Sequence, residues 1–284
     1  QVREGKDLPP DAPVKVDVVA HSMGGLVLRY YLRYGTTPLP EDGSLPALTW
    51  AGAQSINHAY LIGTPNAGAA SALERLVDGM NLNPLFPNYR PAVLGTMPAV
   101  YQLLPRVRHA RVIDLETNQP VDFMDVETWE KYEWGLADPN QDWLLEWLLP
   151  NVSAPEQRRQ IALDHLAKCL AKAEQLFSAL DNPASPPPGT EIHLFAGDGI
   201  PTSSKLGVRS DGSLVVLERA PGDDTVTRAS ALMDERTGND WTPTLESPID
   251  WNRVQFLADD HLGMTSSPEF LDNLLYLMLE SPRE

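Results

Sequence analysis

The chain has 284 residues, 42% of them hydrophobic, enough to bury a sizeable core. α/β units run long, so one domain carrying an insertion accounts for this length better than two. Lys and Arg total 22 against 39 Asp and Glu, a formal charge of -17 that repels nucleic acid and anionic membrane surfaces and excludes a polynucleotide substrate. The single cysteine, Cys169, excludes an internal disulfide framework and every multi-cysteine metal site. It reads as a packed residue and mildly favours a reducing compartment.

In chain order, the opening QVREGKDLPPDAP lacks the apolar stretch of a signal peptide. No run in the chain approaches the roughly 18 apolar residues that span a bilayer. VKVDVVA, residues 14–20, is apolar and β-branched almost throughout, the pattern of a strand buried on both faces of a parallel sheet. GGLVLRYYLRYG follows as a helix that Gly35 stops, so strand, tight turn and helix make half of a βαβ unit. HAYLIGTP (58–65), EIHLFAG (191–197) and NRVQFLA (252–258) are further buried strands, and PEFLDNLLYLML is a last helix. The expected architecture is therefore α/β, with a parallel sheet flanked by helices.

Between the second and third strands lie more than a hundred residues rich in Pro and Trp. They are read as a large, mostly helical cap over about residues 71–188, with the core formed by 14–70 and 189–284 of one domain. In the cap, Ser153 and Glu156 have capping-box spacing. Leu163, Leu166, Leu170, Ala173, Phe177 and Leu180 then recur at three and four residues, one face of a long helix. DNPASPPPG ends that helix, and LGVRSDGSLVVLE after the third strand reads as a hairpin turning near Asp211 and Gly212.

VDVVAHSMGG carries the most specific chemical signal. A nucleophilic serine at a strained strand-to-helix turn needs small flanking residues, and Ala20, Gly24 and Gly25 supply them around Ser22. Ala20 replaces the first glycine of the G-x-S-x-G pattern, adding only a methyl group. On such a fold the acid and the histidine follow the serine in that order. Of the six histidines, His21 precedes the elbow, His58 and His193 sit at or within strands, His109 follows an arginine-rich segment and His165 lies in the cap helix. His261, in ADDHLG between the last strand and last helix, is placed to reach Ser22 over the sheet's C-terminal edge. Asp223 in PGDDTV is the favoured acid, with Asp198 in AGDG as its rival and Asp224 as a third choice. One oxyanion donor is the amide of Met23, the residue after the nucleophile.

With AHSMGG, LIGTPNAG, GDDTV and DHLG in that order, and MPAVYQLLP (97–105) in the cap, most of the chain resembles the lecithin:cholesterol acyltransferase-like branch of the α/β-hydrolases. The resemblance implies the α/β-hydrolase fold, with Ser22 as nucleophile, Asp223 as acid and His261 as base. It implies action on lipid ester bonds, either hydrolysis or O-acyl transfer, with no cofactor and no metal. Two features depart from the pattern. Asn66 follows the Thr64-Pro65 pair where many lipases of this fold have histidine, and the cap lacks the cysteine pair that bridges the lid of secreted animal members, so lid behaviour does not transfer.

Only thirteen residues precede the first strand, which leaves no room for the earlier strand that carries the second oxyanion donor on this fold. The expectation is a chain lacking N-terminal strands and, on its own, weakly active or inactive. For substrate contacts, DWLLEWLLP (142–150) places Trp143 and Trp147, with Leu144, on a short apolar helix. These residues and Tyr101 are candidates either for a wall that receives an acyl chain or for plain core packing. Given the charge, any lipid contact is transient, hydrophobic and local, through the cap. Competing readings are a small-ester or thioester hydrolase and an inactive hydrolase fold used for binding.

Overall fold

The computed structural model describes residues 14–81, 88–236 and 245–280. Their strands are β1 (Val16–His21), β2 (Ile56–Ile62), β3 (Arg111–Asp114), β4 (Glu191–Gly197), β5 (Ile200–Val208), β6 (Leu214–Gly222) and β7 (Arg253–Leu257). β1, β2, β4 and β7 form a parallel sheet in the order β1-β2-β4-β7. These are the four strands the sequence patterning predicts. Helix α1 (Met23–Tyr34) follows β1 across the single residue Ser22 and stops at Gly35, whose φ of 60° and amide bond to the Tyr31 carbonyl suit a residue without Cβ.

Burial along β1 differs from the expectation. Val16 and Val19 are 42% and 44% exposed, because among the described residues β1 pairs with β2 alone. β2 has partners on both sides and is buried from Ala59 through Ile62. The β-branched run of β1 thus reports strand preference rather than two covered faces. One sheet face carries Ala59, Leu61, Ile192 and Leu194 against Leu28 and Leu32 of α1 and Ala231 and Leu232 of α8 (Arg228–Leu232). The other carries Tyr60, Ile62, Phe195 and Leu257 against Met264 and Phe270, the latter from α9 (Pro268–Leu275), and Leu277 just beyond it. Helices on both faces of a parallel sheet make this an α/β architecture.

The long insertion holds α2 (Ala70–Asp78), α3 (Pro91–Gly95), α4 (Pro98–Tyr101), α5 (Val126–Lys131), α6 (Asp142–Leu148) and α7 (Pro155–Asp181). It is mostly helical, as expected, but it also supplies β3, which pairs in parallel with β5. β5 and β6 are the expected hairpin, its turn fixed by Asp211 accepting from the Ser213 amide and by Gly212 at φ 78°. Leu206 and Val208 of β5 join Trp129, Trp134, Phe123 and Leu166 in the core of the insertion. The hairpin therefore packs on the cap rather than on the main sheet.

α7 buries Leu166, Leu170, Ala173, Phe177 and Leu180, with Leu163 half-buried, the face its spacing predicts. The expected capping box is absent. Ala154, in extended conformation, is the N-cap and Pro155 begins the helix, so Ser153 lies one residue too far out. A proline at the first helical position has no amide to satisfy, which removes one of the donors a cap would serve. Cys169 is buried and free, its Sγ 3.3 Å from His165 Nε2 in the same helix. Among the described residues, no helix is long and apolar enough to cross a membrane.

The end of α7 is tied down by charge. Asp181 accepts two hydrogen bonds from buried Arg106, at 3.0 and 2.8 Å, and a third from Arg108 at 3.1 Å. Burial pushes the Asp181 carboxyl up, but the hydrogen bonds and charges of the two guanidinium groups outweigh it, so its pKa lies below the ordinary value. A depressed folded pKa stabilises the fold fully above about pH 3.9, the unfolded value, and that stability is lost as pH falls through the lower folded value. Asp181→Asn is therefore expected to cost about 2–3 kcal/mol at neutral pH by leaving the Arg106 charge half-matched. Melting curves should show the gap from wild type narrowing below about pH 4.

Candidate active site

Ser22 sits at the C-terminal end of β1 with φ 54° and ψ -128°, backbone angles that a non-glycine residue holds only under constraint. Its amide donates to the Ile62 carbonyl at 2.8 Å, which locks the turn to β2. Of the small residues around Ser22, Gly24 has room to spare, since a Cβ there would stand 3.8 Å from the Ala20 Cβ, an ordinary contact. Gly25 has no such room. A Cβ there would fall 1.9 Å from Thr64 Oγ1 and 2.8 Å from Thr64 Cβ. Gly25→Ala is expected to destabilise the protein by about 1–3 kcal/mol through overpacking of α1 on the loop after β2. A lowered melting temperature checks this.

His261 lies in the loop between β7 and α9 and is held from several directions. Its Nε2 is 2.8 Å from Ser22 Oγ, and its Nδ1 is 2.9 Å from Asp223 Oδ2. Its amide donates to the Asp223 carbonyl at 2.9 Å. Asp260 shapes the loop by accepting from the amides of Leu262 and Gly263 at 3.0 and 2.8 Å. The carboxylate of Asp223 is 1% exposed. Its Oδ1 accepts from the amides of Thr225 at 3.0 Å and Val226 at 2.6 Å, leaving Oδ2 for the histidine. A carboxylate only accepts, so the Nδ1 proton points at Asp223 and the Nε2 lone pair faces the serine hydroxyl.

The two rival carboxylates lie elsewhere. Asp198 faces Arg228 Nη1 at 3.5 Å, and Asp224 is exposed with φ 73°. Met23 opens α1, where the first amides of a helix have no intrahelical acceptor and the dipole favours negative charge. An oxyanion on a carbon attached to Ser22 would form next to that amide.

Two residues at the site were not singled out from sequence. His21 Nε2 donates to the His261 carbonyl at 2.7 Å, so the last residue of β1 helps to fix the loop that presents His261. Gly63, at φ 53°, packs where a Cβ would lie 3.2 Å from His261 Nδ1 and 3.3 Å from Asp223 Oδ2. The only available signal was position, since each directly flanks a strand end that carries the site. Asn66 is fully buried, accepting from Arg29 of α1 at 3.2 Å and donating to the Ala231 carbonyl at 2.7 Å. It ties the loop after β2 to helices α1 and α8.

A groove of about 420 Å³ is lined by Met23, the residue after Ser22, and by Leu26, Val27, Leu39, Ala99 and Leu176. Trp143, Trp147, Leu144 and Tyr101 do not line it. Tyr101 is fully buried and donates to the Gly95 carbonyl, and Leu144 packs on the core of the insertion. Trp143 is half-exposed under the Arg90 guanidinium, and Trp147 is 79% exposed. The apolar wall of this groove belongs to α1 rather than to α6.

The model of the lecithin:cholesterol acyltransferase family matches residues 11–212, a span that contains Ser22 and ends before Asp223 and His261. Among solved structures, a chain from "The crystal structure of Tle4-Tli4 complex" is similar at 14% identity and a TM-score of 0.50, over 81% of this chain and 53% of that one. At that identity the likeness shows a shared fold, and the present chain spans about half of that chain's length. No curated protein matches the chain. With the family match covering more than two thirds of its residues, the chain belongs to the lecithin:cholesterol acyltransferase family of α/β-hydrolases.

Proposed function

We propose that the protein is a serine acyl hydrolase or O-acyltransferase acting on lipid esters, with Ser22 as nucleophile, His261 as general base and Asp223 as the acid that orients it. The observation that carries this reading is the unbroken chain from Ser22 Oγ through His261 to Asp223, at 2.8 and 2.9 Å. In the forward step His261 takes the Ser22 proton as Oγ attacks the ester carbonyl, and Asp223 stabilises the imidazolium that forms. The Met23 amide meets the oxyanion, an interaction worth about 3 kcal/mol for a single donor. His261 then gives its proton to the departing alcohol, leaving an acyl-enzyme. Water resolves it to a fatty acid, and a second alcohol resolves it to a new ester.

The lipid part of the reading rests on the family and on the groove beside Met23. Its apolar side chains suit an acyl chain, and Ala99 of α4 and Leu176 of α7 bring the insertion to its wall. A series of p-nitrophenyl esters of rising acyl length tests this. Turnover should favour long chains, and Ala99→Trp should lower kcat/KM for long-chain esters by about 10- to 100-fold, roughly 1.4–2.7 kcal/mol, while sparing butyrate. Activity confined to acetyl and butyryl esters would favour a small-ester hydrolase instead.

A further inference from the structure

At the end of the sheet opposite Ser22, three side chains converge that the proposed reaction does not use. His58 lies in β2, and Glu191 and His193 stand two residues apart on the same face of β4, with His58 in register with Glu191. Glu191 Oε2 is 3.1 Å from His193 Nε2 and 3.5 Å from His58 Nδ1, and the two imidazole nitrogens are 3.3 Å apart. His193 is 2% exposed, and its other nitrogen, Nδ1, is buried without a hydrogen-bond partner.

Hydrogen bonds serve at most two edges of this triangle at once. The carboxylate brings no proton, each neutral imidazole brings at most one to the centre, and each proton serves one edge. When both imidazoles donate to Glu191 Oε2, the edge between the two ring nitrogens carries no hydrogen bond. A cation at the centre satisfies all three atoms at once. Ligands about 2.0–2.1 Å from a tetrahedral zinc ion stand about 3.3–3.4 Å apart, whereas three on one face of an octahedron stand about 3.0 Å apart. The observed separations of 3.1, 3.3 and 3.5 Å centre on the tetrahedral value.

We propose that His58, Glu191 and His193 bind one Zn²⁺ ion that cross-links β2 to β4. Two imidazoles and one carboxylate are the donor set of three-ligand zinc sites, and the nitrogens disfavour Ca²⁺ and Mg²⁺. Asp17 of β1 and Arg253 of β7 act on His193 with opposite sign, and Glu191 leaves the cluster net negative. The ion lies away from Ser22, so its effect is on stability: it binds the folded sheet, where the two strands are in register, and not the unfolded chain.

The test uses the full chain stripped with a chelator, dialysed and titrated with Zn²⁺ by calorimetry and with Co²⁺ by visible absorption. One equivalent of Zn²⁺ should bind at micromolar concentration or below, raise the melting temperature and leave the reactivity of Ser22 unchanged, and Co²⁺ should give the intense bands of a tetrahedral site. His58→Gln and Glu191→Gln each remove one ligand at partly exposed positions, and each should weaken binding by about 100-fold or more while far-UV circular dichroism stays native. His193→Ala should do the same. No Zn²⁺ binding by the wild-type chain, or binding undiminished in His58→Gln and Glu191→Gln, would overturn the proposal. Neither outcome bears on the Ser22 reading.

Discussion

In protein that turns over esters, Ser22→Ala is expected to lower that turnover by about 10⁴-fold or more, some 5.5 kcal/mol of transition-state stabilisation, and to leave the fold intact. The substitution is a clean one. Serine and alanine bear equal strain at φ 54°, and the Ser22 amide keeps its bond to Ile62 whatever the side chain. Only Oγ is lost, and with it the acyl-enzyme. Activity that remains arises from binding and the Met23 amide alone, and rate assays with matched melting curves separate that residue of activity from any loss of folded protein. Turnover within a few-fold of wild type would remove Ser22 from the mechanism.

Asp223→Asn should be nearly as damaging, with kcat lowered by about 10⁴-fold and little change in substrate binding. The surrounding amides give the reason. Thr225 and Val226 both donate to Oδ1, so an asparagine places its carbonyl oxygen there and turns its NH₂ toward His261. The imidazole must then accept at Nδ1 and carry its proton on Nε2, pointing a donor at Ser22 where a base is needed. Asp198→Asn and Asp224→Asn serve as controls and should stay near wild type, since the histidine's Nδ1 is bonded to Asp223, Asp198 pairs with Arg228 and Asp224 is exposed. If Asp198→Asn abolished turnover and Asp223→Asn did not, the acid would have been assigned to the wrong loop.

The sequence is most informative where chemistry is local. A nucleophile elbow is a strand, one strained residue and a helix in immediate succession, so ten residues suffice to locate Ser22. His261 was legible by elimination, because the others lie before the elbow, in strands, in the cap helix or after the arginine-rich segment. Asp223 needed the family resemblance, since spacing alone does not separate it from Asp198. What separates them in space is the pair of amides at Thr225 and Val226 and the amide of His261 itself.

Residues defined by long-range packing were harder to read. That Gly25 rather than Gly24 has no room for a Cβ depends on Thr64, about forty positions away in the loop after β2. The apolar wall of the groove belongs to α1 and to Leu39, Ala99 and Leu176, which no single helical stripe brings together. Trp143 and Trp147 form a conspicuous pair in the sequence, yet α6 turns both toward solvent. The hairpin β5–β6 follows β4 in the chain but finds its partner, β3, inside the insertion. His58 and His193 were recognisable as strand residues, and only the register of β2 on β4 brings them to one point with Glu191.

The most direct test of the account is reaction of the protein with a fluorophosphonate, followed by peptide mapping. The arrangement of Ser22, His261 and Asp223 predicts a single adduct on Ser22, absent in Ser22→Ala and formed far more slowly in His261→Gln. No adduct on Ser22, or labelling of Ser22 at the wild-type rate in His261→Gln, would contradict it.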